Sequence, residues 1–180
     1  NDDYPILSFN YEKAFGATNN DYHYDLISAS VDYNKTIGNK GDFGLRFKAG
    51  KFFNAENISF IDYKHFNGNQ THVNLLNNSL NSFNLLPYYS HSTNDAYFET
   101  HIEHNFKGYI MNKIPLLNKL QWNLIGGFNQ INIPDRKPYQ EVTVGFDNIG
   151  WGKLRFLRID YVRSYQNGFQ GDGIMFGVKF

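Results

Sequence analysis

Alternation of apolar and polar residues in eight long stretches constrains the fold of this chain more than any other feature. A period of two puts neighbouring side chains on opposite faces of a β-strand. The stretches span about 8–12 residues, whereas strands of globular domains have about five or six and a tilted membrane-spanning strand has about 9–11. They cover residues 6–14, 24–34, 42–52, 96–107, 119–130, 139–148, 153–164 and 173–180.

Two all-β architectures fit this pattern, namely a soluble β-sandwich and an antiparallel transmembrane β-barrel with a polar lumen. The length of the stretches favours the barrel. Aromatic residues make up 18% of the chain, yet its mean hydropathy is −0.52, as expected where one face of each strand is polar. Tyr and Trp residues near the strand ends fit an interfacial girdle or, alternatively, the ordinary preference of aromatics for strands.

The intervals between the stretches differ in length, and the longest, residues 53–95, is predicted to be an outer loop. Outer-membrane barrels join their strands by short periplasmic turns and longer outer loops. Eight strands either close a small barrel or form part of a larger one. Large charged residues on the polar side, and the lack of a secretory leader in "NDDYPILSFNYEK", favour the larger barrel. Residues 1–180 are therefore predicted to be the C-terminal portion of an outer-membrane β-barrel.

The composition argues against several other classes of protein. Lys and Arg together number 17, as do Asp and Glu, so the formal net charge is zero and no nucleic-acid partner is expected. The chain has no cysteine, which excludes a disulfide framework or a thiolate metal site. It carries no glycine-rich phosphate loop and no nucleophile set at a recognisable turn. We therefore predict a non-enzymatic protein without a cofactor.

The segment "HIEH" at 101–104 is the one cluster whose residue types could bind a metal. On a strand, His101 and Glu103 point to one face and His104 points to the other. This divergence favours ordinary lumen polarity over a metal site, and no metal is expected.

Charged residues on the polar side of the strands are predicted to face the lumen. A charge facing lipid would cost about 2–4 kcal/mol at the bilayer midplane. These residues could form an ion-pair network that holds an inward loop, or each could simply be solvated. The predicted cluster comprises Arg46, Lys48, Glu99, His101, Glu103, Arg158 and Asp160.

Six motifs follow one another along almost the whole chain. They are "GLRFKAGKFF" (44–53), "HFNGNQT" (65–71), "YFETHIEHNFKGYIMNKIPLLNKL" (97–120), "VGFDNIG" (144–150), "LRFLRIDYVRS" (154–164) and "GIMFGVKF" (173–180). In this order they resemble the bacterial surface-antigen superfamily, the Bam/Tam-type barrels of outer-membrane assembly and translocation. The likeness is greatest to members in which a carboxypeptidase-regulatory-like domain precedes the barrel.

This resemblance implies a 16-stranded barrel of which the present chain supplies the last eight strands. The long interval at 53–95 would then be the outer loop that folds back into the lumen. In relatives that loop carries an Arg-Gly-aromatic motif that docks on the lumen wall. The counterpart here, "HFNGNQT", keeps the glycine but has asparagines in place of the arginine and the aromatic residue. The predicted inward-loop residues are Phe66, Asn67, Gly68 and Asn69.

The predicted function is non-enzymatic assembly or translocation in the outer membrane of a Gram-negative bacterium, through the barrel seam and the inward loop. The seam would offer backbone hydrogen bonds to an incoming strand. The alternative is a passive pore, or a scaffold barrel that serves as an accessory subunit of an outer-membrane complex. Expected partners are outer-membrane lipid and other outer-membrane or periplasmic proteins. The C-terminal insertion strand is predicted to present Ile174, Phe176, Val178 and Phe180 to lipid.

Overall fold

The protein is all-β, and the residues that the structure describes form eight long strands, one short strand and very little helix. The computed structural model describes residues 4–15, 22–75 and 80–178. The strands are β1 (Ile6–Ala14), β2 (Tyr24–Thr36), β3 (Asp42–Phe53), β4 (Val73–Leu75), β5 (Tyr97–Asn105), β6 (Asn123–Asn132), β7 (Tyr139–Trp151), β8 (Leu154–Tyr165) and β9 (Phe169–Val178).

The strands form one sheet in the order β1-β2-β3-β5-β6-β7-β8-β9-β4. All neighbouring long strands are antiparallel, and only the short β4 lies parallel to its neighbour β9. Within the described part of the chain, β1 and β9 do not pair with each other, so the sheet is not closed into a barrel.

The helical segments are short connectors. Within the described ranges they include α1 (Gly108–Met111) and single 3₁₀ turns at Gly38–Lys40, Phe60–Asp62 and Leu117–Lys119. None of the helices found among the described residues has the length and apolar character needed to span a membrane.

Each of the eight predicted stretches overlaps one long strand. This confirms the prediction of an all-β fold with antiparallel strands. Two strands begin well away from the predicted position, for local reasons. The sixth strand begins at Asn123 rather than 119, because a 3₁₀ turn and the left-handed Gln121 (φ 54°) precede it. The last strand begins at Phe169 rather than 173, because Asn167 (φ 57°) and Gly168 (φ 122°) form a tight turn between β8 and β9. The residues between the predicted stretches 153–164 and 173–180 thus form a tight turn and the start of β9.

The two faces of the sheet differ sharply in polarity, and here they are called the polar face and the apolar face. Directly opposed residues of antiparallel neighbours lie on the same face, so the register assigns every strand position. The polar face carries Ser30, Asp32, Arg46, Lys48, Glu99, His101, Glu103, Asn129, Glu141, Thr143, Asp160 and Ser164. The apolar face carries Phe9, Ile27, Val31, Leu45, Phe47, Ile102, Phe128, Val142, Val144, Ile159, Ile174 and Phe176.

Burial is the reverse of that in a water-soluble sheet. On β7, Glu141 is 0% exposed and Val144 is 51% exposed, and Phe176 on β9 is 55% exposed. The polar face is covered by the long connection between β3 and β5, here called the inward loop (residues 54–96), part of which is outside the described residues. The hydrophobic core lies between this loop and one end of the polar face. It consists of Tyr24, Phe52, Ala55, Ile58, Phe66, Phe83, Leu86, Tyr97, Ile131, Ile133 and Tyr139.

Candidate functional site: an inward loop docked on a buried polar network

The predicted charged cluster is gathered on the polar face, where part of it forms an ion-pair network. Arg158 on β8 bonds two carboxylates, with its Nη2 2.7 Å from Glu103 Oε2 and its Nε 2.7 Å from Asp160 Oδ2. Asp160 is buried, and its second oxygen has no hydrogen-bond partner among the described residues. The largely buried Arg158 guanidinium therefore bonds one carboxylate on its own strand and one on β5, which lies across the polar face with β6 and β7 in between.

The other two basic members of the cluster lie on β3, towards the first strands. Arg46 pairs with Asp32, a partner on β2 that the sequence prediction did not include. Lys48 lies directly opposite Glu99 in the β3–β5 register. The cluster is therefore spread across β3, β5 and β8 and does not converge on one point.

His101 is fully buried, and each of its ring nitrogens faces an oxygen acceptor. Nε2 is 2.9 Å from Glu99 Oε1 and Nδ1 is 3.0 Å from Asn129 Oδ1. The Asn129 amide nitrogen donates to Glu141 Oε2 at 3.1 Å, so its oxygen must face the imidazole. Both ring nitrogens therefore have an oxygen partner, and neither is free to bind a metal.

His104 lies on the apolar face, as its strand spacing predicts. Its Nε2 is 3.0 Å from the Lys40 carbonyl oxygen at the edge of the β2–β3 turn. Among the described residues, no group of three or more His, Cys, Asp or Glu side chains could hold a metal ion. Within "HIEH", His101 therefore belongs to the buried hydrogen-bond network, whereas His104 lies beside the β2–β3 turn.

Glu141 is the centre of the site, and it was not among the predicted residues. Its carboxylate accepts four hydrogen bonds and is completely buried. The backbone N–H groups of Asn84 and Leu85 in the inward loop donate to it, each at 2.8 Å. The Tyr139 hydroxyl and the Asn129 amide donate at 2.9 and 3.1 Å. A buried carboxylate is satisfied here entirely by neutral donors, two of them from the main chain of the loop.

The loop residues beside this contact fit the polar face closely. The Phe83 ring is fully buried, with its centroid 4.7 Å from that of His101 and 6.1 Å from that of Tyr139. Leu80 packs over Gly44, where a Cβ atom would collide with its side chain. The small residue on β3 thus makes room for the loop.

The "HFNGNQT" motif lies in the inward loop, but it does not reach Glu141. Phe66 is buried with its ring edge-on to Tyr97, at a centroid distance of 5.9 Å. Asn67 and Asn69 bond within the loop, to the carbonyl oxygens of Asn81 and Val73.

Lys64 precedes this motif and anchors the loop against the sheet. Its main chain pairs with that of Thr93 through two hydrogen bonds, and its ammonium lies over the rings of Phe66 and Tyr97. Burial lowers the pKa of the Lys64 ammonium, and the nearby Glu99 carboxylate opposes part of that effect.

His91 secures the far end of the loop. Its Nδ1 is 2.9 Å from Ser90 Oγ and its Nε2 is 3.0 Å from the Gln166 side chain on the β8–β9 turn. Burial lowers the pKa of His91, and the positive charge of Arg136 lowers it further. The loop is therefore tied to two separate parts of the sheet.

The predicted C-terminal insertion residues follow the strand pattern as far as the structure describes them. Ile174 and Phe176 lie exposed on the apolar face, and Val178 is partly buried on the same face. Phe180 lies outside the described residues. The outer edge of β9 pairs with β4 of the inward loop, where the Phe176 N–H donates to the His72 carbonyl at 2.9 Å.

Comparison with known proteins identifies the family of this chain. No curated protein and no solved structure matches it. Residues 1–146 match the model described as the C-terminal domain of a family of unknown function, DUF5686. Because that match covers well over half of the chain, the chain belongs to the DUF5686 family.

Proposed function

We propose that this chain forms the C-terminal half of a 16-stranded outer-membrane β-barrel in a Gram-negative bacterium, and that it acts without covalent chemistry. The observation that carries the proposal is the reversed polarity of the sheet. Glu99, His101 and Glu141 are buried on one face, while Val142, Val144 and other large apolar side chains stand exposed on the opposite face. Lipid is a favourable environment for the exposed apolar face and an unfavourable one for the polar face.

The strand dimensions support this environment. β3 has 12 residues, which gives a length of about 40 Å at about 3.4 Å per residue. At a tilt of about 45°, such a strand rises about 28 Å, close to the apolar band of about 25 Å on outer-membrane barrels. Both β1 and β9 are terminal long strands of an open sheet. Further strands of the same barrel would satisfy the outer edge of β1 and the part of the β9 edge that β4 leaves unpaired.

Assembly or translocation of other proteins is the role that we propose for this barrel. The motif resemblance to Bam/Tam-type barrels supports it, as does the position of β9. An incoming extended segment could add to the outer edge of β9 by main-chain hydrogen bonds, as β4 of the inward loop does. The partners would be outer-membrane lipid and client proteins that cross or enter that membrane.

A scaffold or accessory barrel is the second candidate, and the docking of the inward loop on Glu141 favours it. Main-chain bonds from Asn84 and Leu85, together with the buried ring of Phe83, hold the loop on the polar face. A loop held there would obstruct a lumen. Such a barrel would conduct little and would serve mainly to bind partner subunits.

Depletion of the full-length protein tests the proposed assembly role. Membranes from depleted cells would be fractionated and the amounts of several unrelated outer-membrane proteins measured. We expect these amounts to fall together, whereas inner-membrane proteins stay constant. Unchanged levels would refute the assembly role. Recovery of the protein itself in the inner-membrane or soluble fraction would refute the barrel location.

Conductance distinguishes the scaffold from a pore. The purified full-length protein would be inserted in a planar lipid bilayer beside the Glu141→Gln variant. A docked loop predicts almost no current for the native protein and open-channel events for the variant. Large steady currents from the native protein would exclude the obstructed scaffold and leave the pore.

A further inference from the structure

A groove of about 480 Å³ lies in the inward loop beside the docked segment, between residues 65–68 and 81–89. Neither the ion-pair network nor the contact with Glu141 uses it. Its lining includes His65, Asn67, Asn81, Ser82, Tyr88 and Tyr89. The first two belong to the "HFNGNQT" motif.

The two walls of the groove are bonded to each other. The Phe83 N–H donates to the Asn67 carbonyl oxygen at 2.8 Å, and the Asn67 side-chain amide donates to the Asn81 carbonyl at 3.1 Å. Gly68 lies so close to the Leu86 carbonyl that a Cβ atom there would overlap it. The groove is thus formed before any ligand arrives, which lowers the entropic cost of binding.

Tyr89 presents an exposed ring from a strained backbone. The residue has φ 61°, a conformation that is costly for a bulky side chain, and it is 63% exposed. Its carbonyl accepts hydrogen bonds from the Ser92 N–H and hydroxyl at 3.4 and 3.1 Å. The hydrogen bonds from Ser92 hold the Tyr89 backbone in this strained conformation. Strained residues of this kind are common at binding sites.

Neighbouring rings fix the orientation of Tyr89. Its ring stands perpendicular to that of His65 at a centroid distance of 5.1 Å, and Phe60 packs on His65 at 5.0 Å. His65 is itself held by Ser92, whose Oγ is 2.6 Å from Nδ1. Three rings therefore form a rigid, largely exposed aromatic platform at the side of the groove.

The chemistry of the lining selects the ligand class. Among the described residues that line the groove there is no Asp, Glu, Lys or Arg, and the polar groups are amides, hydroxyls and an imidazole. Sites for phosphate or carboxylate ligands are typically rich in arginine or lysine, which this lining lacks. Aromatic faces pack against the C–H face of a sugar ring, while amide and hydroxyl groups can bond its hydroxyls. We propose that this groove binds a neutral carbohydrate chain.

Calorimetric titration of the intact protein tests this proposal, which does not depend on the proposed membrane function. The probes are maltohexaose, cellohexaose, xylohexaose, mannohexaose and chitohexaose, each taken to millimolar concentration. We expect at least one to bind, with an affinity that does not change with salt concentration. Tyr89→Gly should weaken that binding about tenfold, since it removes the stacking ring while glycine readily adopts the same backbone conformation.

Trp151→Ala is the matched control, because Trp151 is 91% exposed at the end of β7, outside the groove. Its loss should leave the affinity unchanged. Failure of all five neutral probes would overturn the proposal, as would binding that is equal in Tyr89→Gly and the native protein. Binding of hexagalacturonate alone would assign the groove to an anion. Binding of an uncharged asparagine- and glycine-rich peptide alone would assign it to a polypeptide.

Discussion

Replacing Glu141 by glutamine is expected to release the inward loop from the sheet. The carboxylate accepts two loop N–H groups, each at 2.8 Å, and is fully buried. A glutamine oxygen can accept one of these bonds, but its amide nitrogen is a donor and cannot accept the other. One buried N–H without a partner costs about 1–3 kcal/mol, and loss of the charge weakens the remaining bonds by about 1 kcal/mol. The contact should therefore lose about 2–4 kcal/mol.

Hydrogen exchange at the amides of Asn84 and Leu85 measures this loss directly. A free-energy change of about 2–4 kcal/mol makes local opening roughly 30- to 700-fold more frequent. The matched control is Glu56→Gln, which removes the same charge from an exposed position of the same loop and should leave exchange unchanged. Native-like protection of both amides in Glu141→Gln would refute the docking role. Equal acceleration in β7 and β8 would show that the variant unfolds the sheet rather than the loop.

Three further perturbations test other parts of the structure. Gly68→Ala should lower the free energy of unfolding, measured by chemical denaturation, by about 1–3 kcal/mol, because its Cβ would overlap a facing carbonyl group. The control Gly152→Ala has open space around its Cβ but φ 57°, so it should lower the free energy of unfolding by about 1 kcal/mol. The lowered pKa of His91 means that the unfolded chain binds the proton more readily, so stability should fall as pH drops below about 6.5. The melting temperature of His91→Gln should accordingly change less than that of the native protein between about pH 7.5 and about pH 5. Val144→Arg should reduce recovery in the outer-membrane fraction, since a charge at midplane costs about 2–4 kcal/mol, whereas Gln140→Arg near the strand end should cost about 0–1 kcal/mol.

The strands were predictable because each carries its own signal. The sequence "EVTVGF" alternates within β7, and burial then places Glu141 and Thr143 on one face and Val142 and Val144 on the other. This alternation is a local signal, and it can be recognised without knowing which strands lie beside it. The short strand β4 has no such signal, because three residues form a strand only where a partner edge lies beside them.

The docking site was not predictable in the same way. The sequence showed Glu141 as one more polar residue on a strand. Its importance arises from main-chain amides that lie 56 and 57 residues away, in a segment without periodicity. Arg158 and Glu103 were predicted to face the lumen because a charge that faces lipid is costly, and the same argument applies to Glu141, which the prediction omitted. Asn129 was missed, since an amide that links His101 to Glu141 looks like any other strand asparagine.

Docking through the main chain explains how the inward loop can lie on the sheet without the arginine of the resembled motif. An arginine-based contact depends on one side chain, and Asn67 cannot replace it. A carboxylate that accepts N–H groups depends on backbone direction, which every residue except proline can supply. The Glu141 contact itself therefore does not depend on the side chains of Asn84 and Leu85, provided that the chain keeps its path. Docking therefore requires Glu141 on the sheet. Residues 65–68 of the inward loop do not contact Glu141, so they are available to bind a ligand.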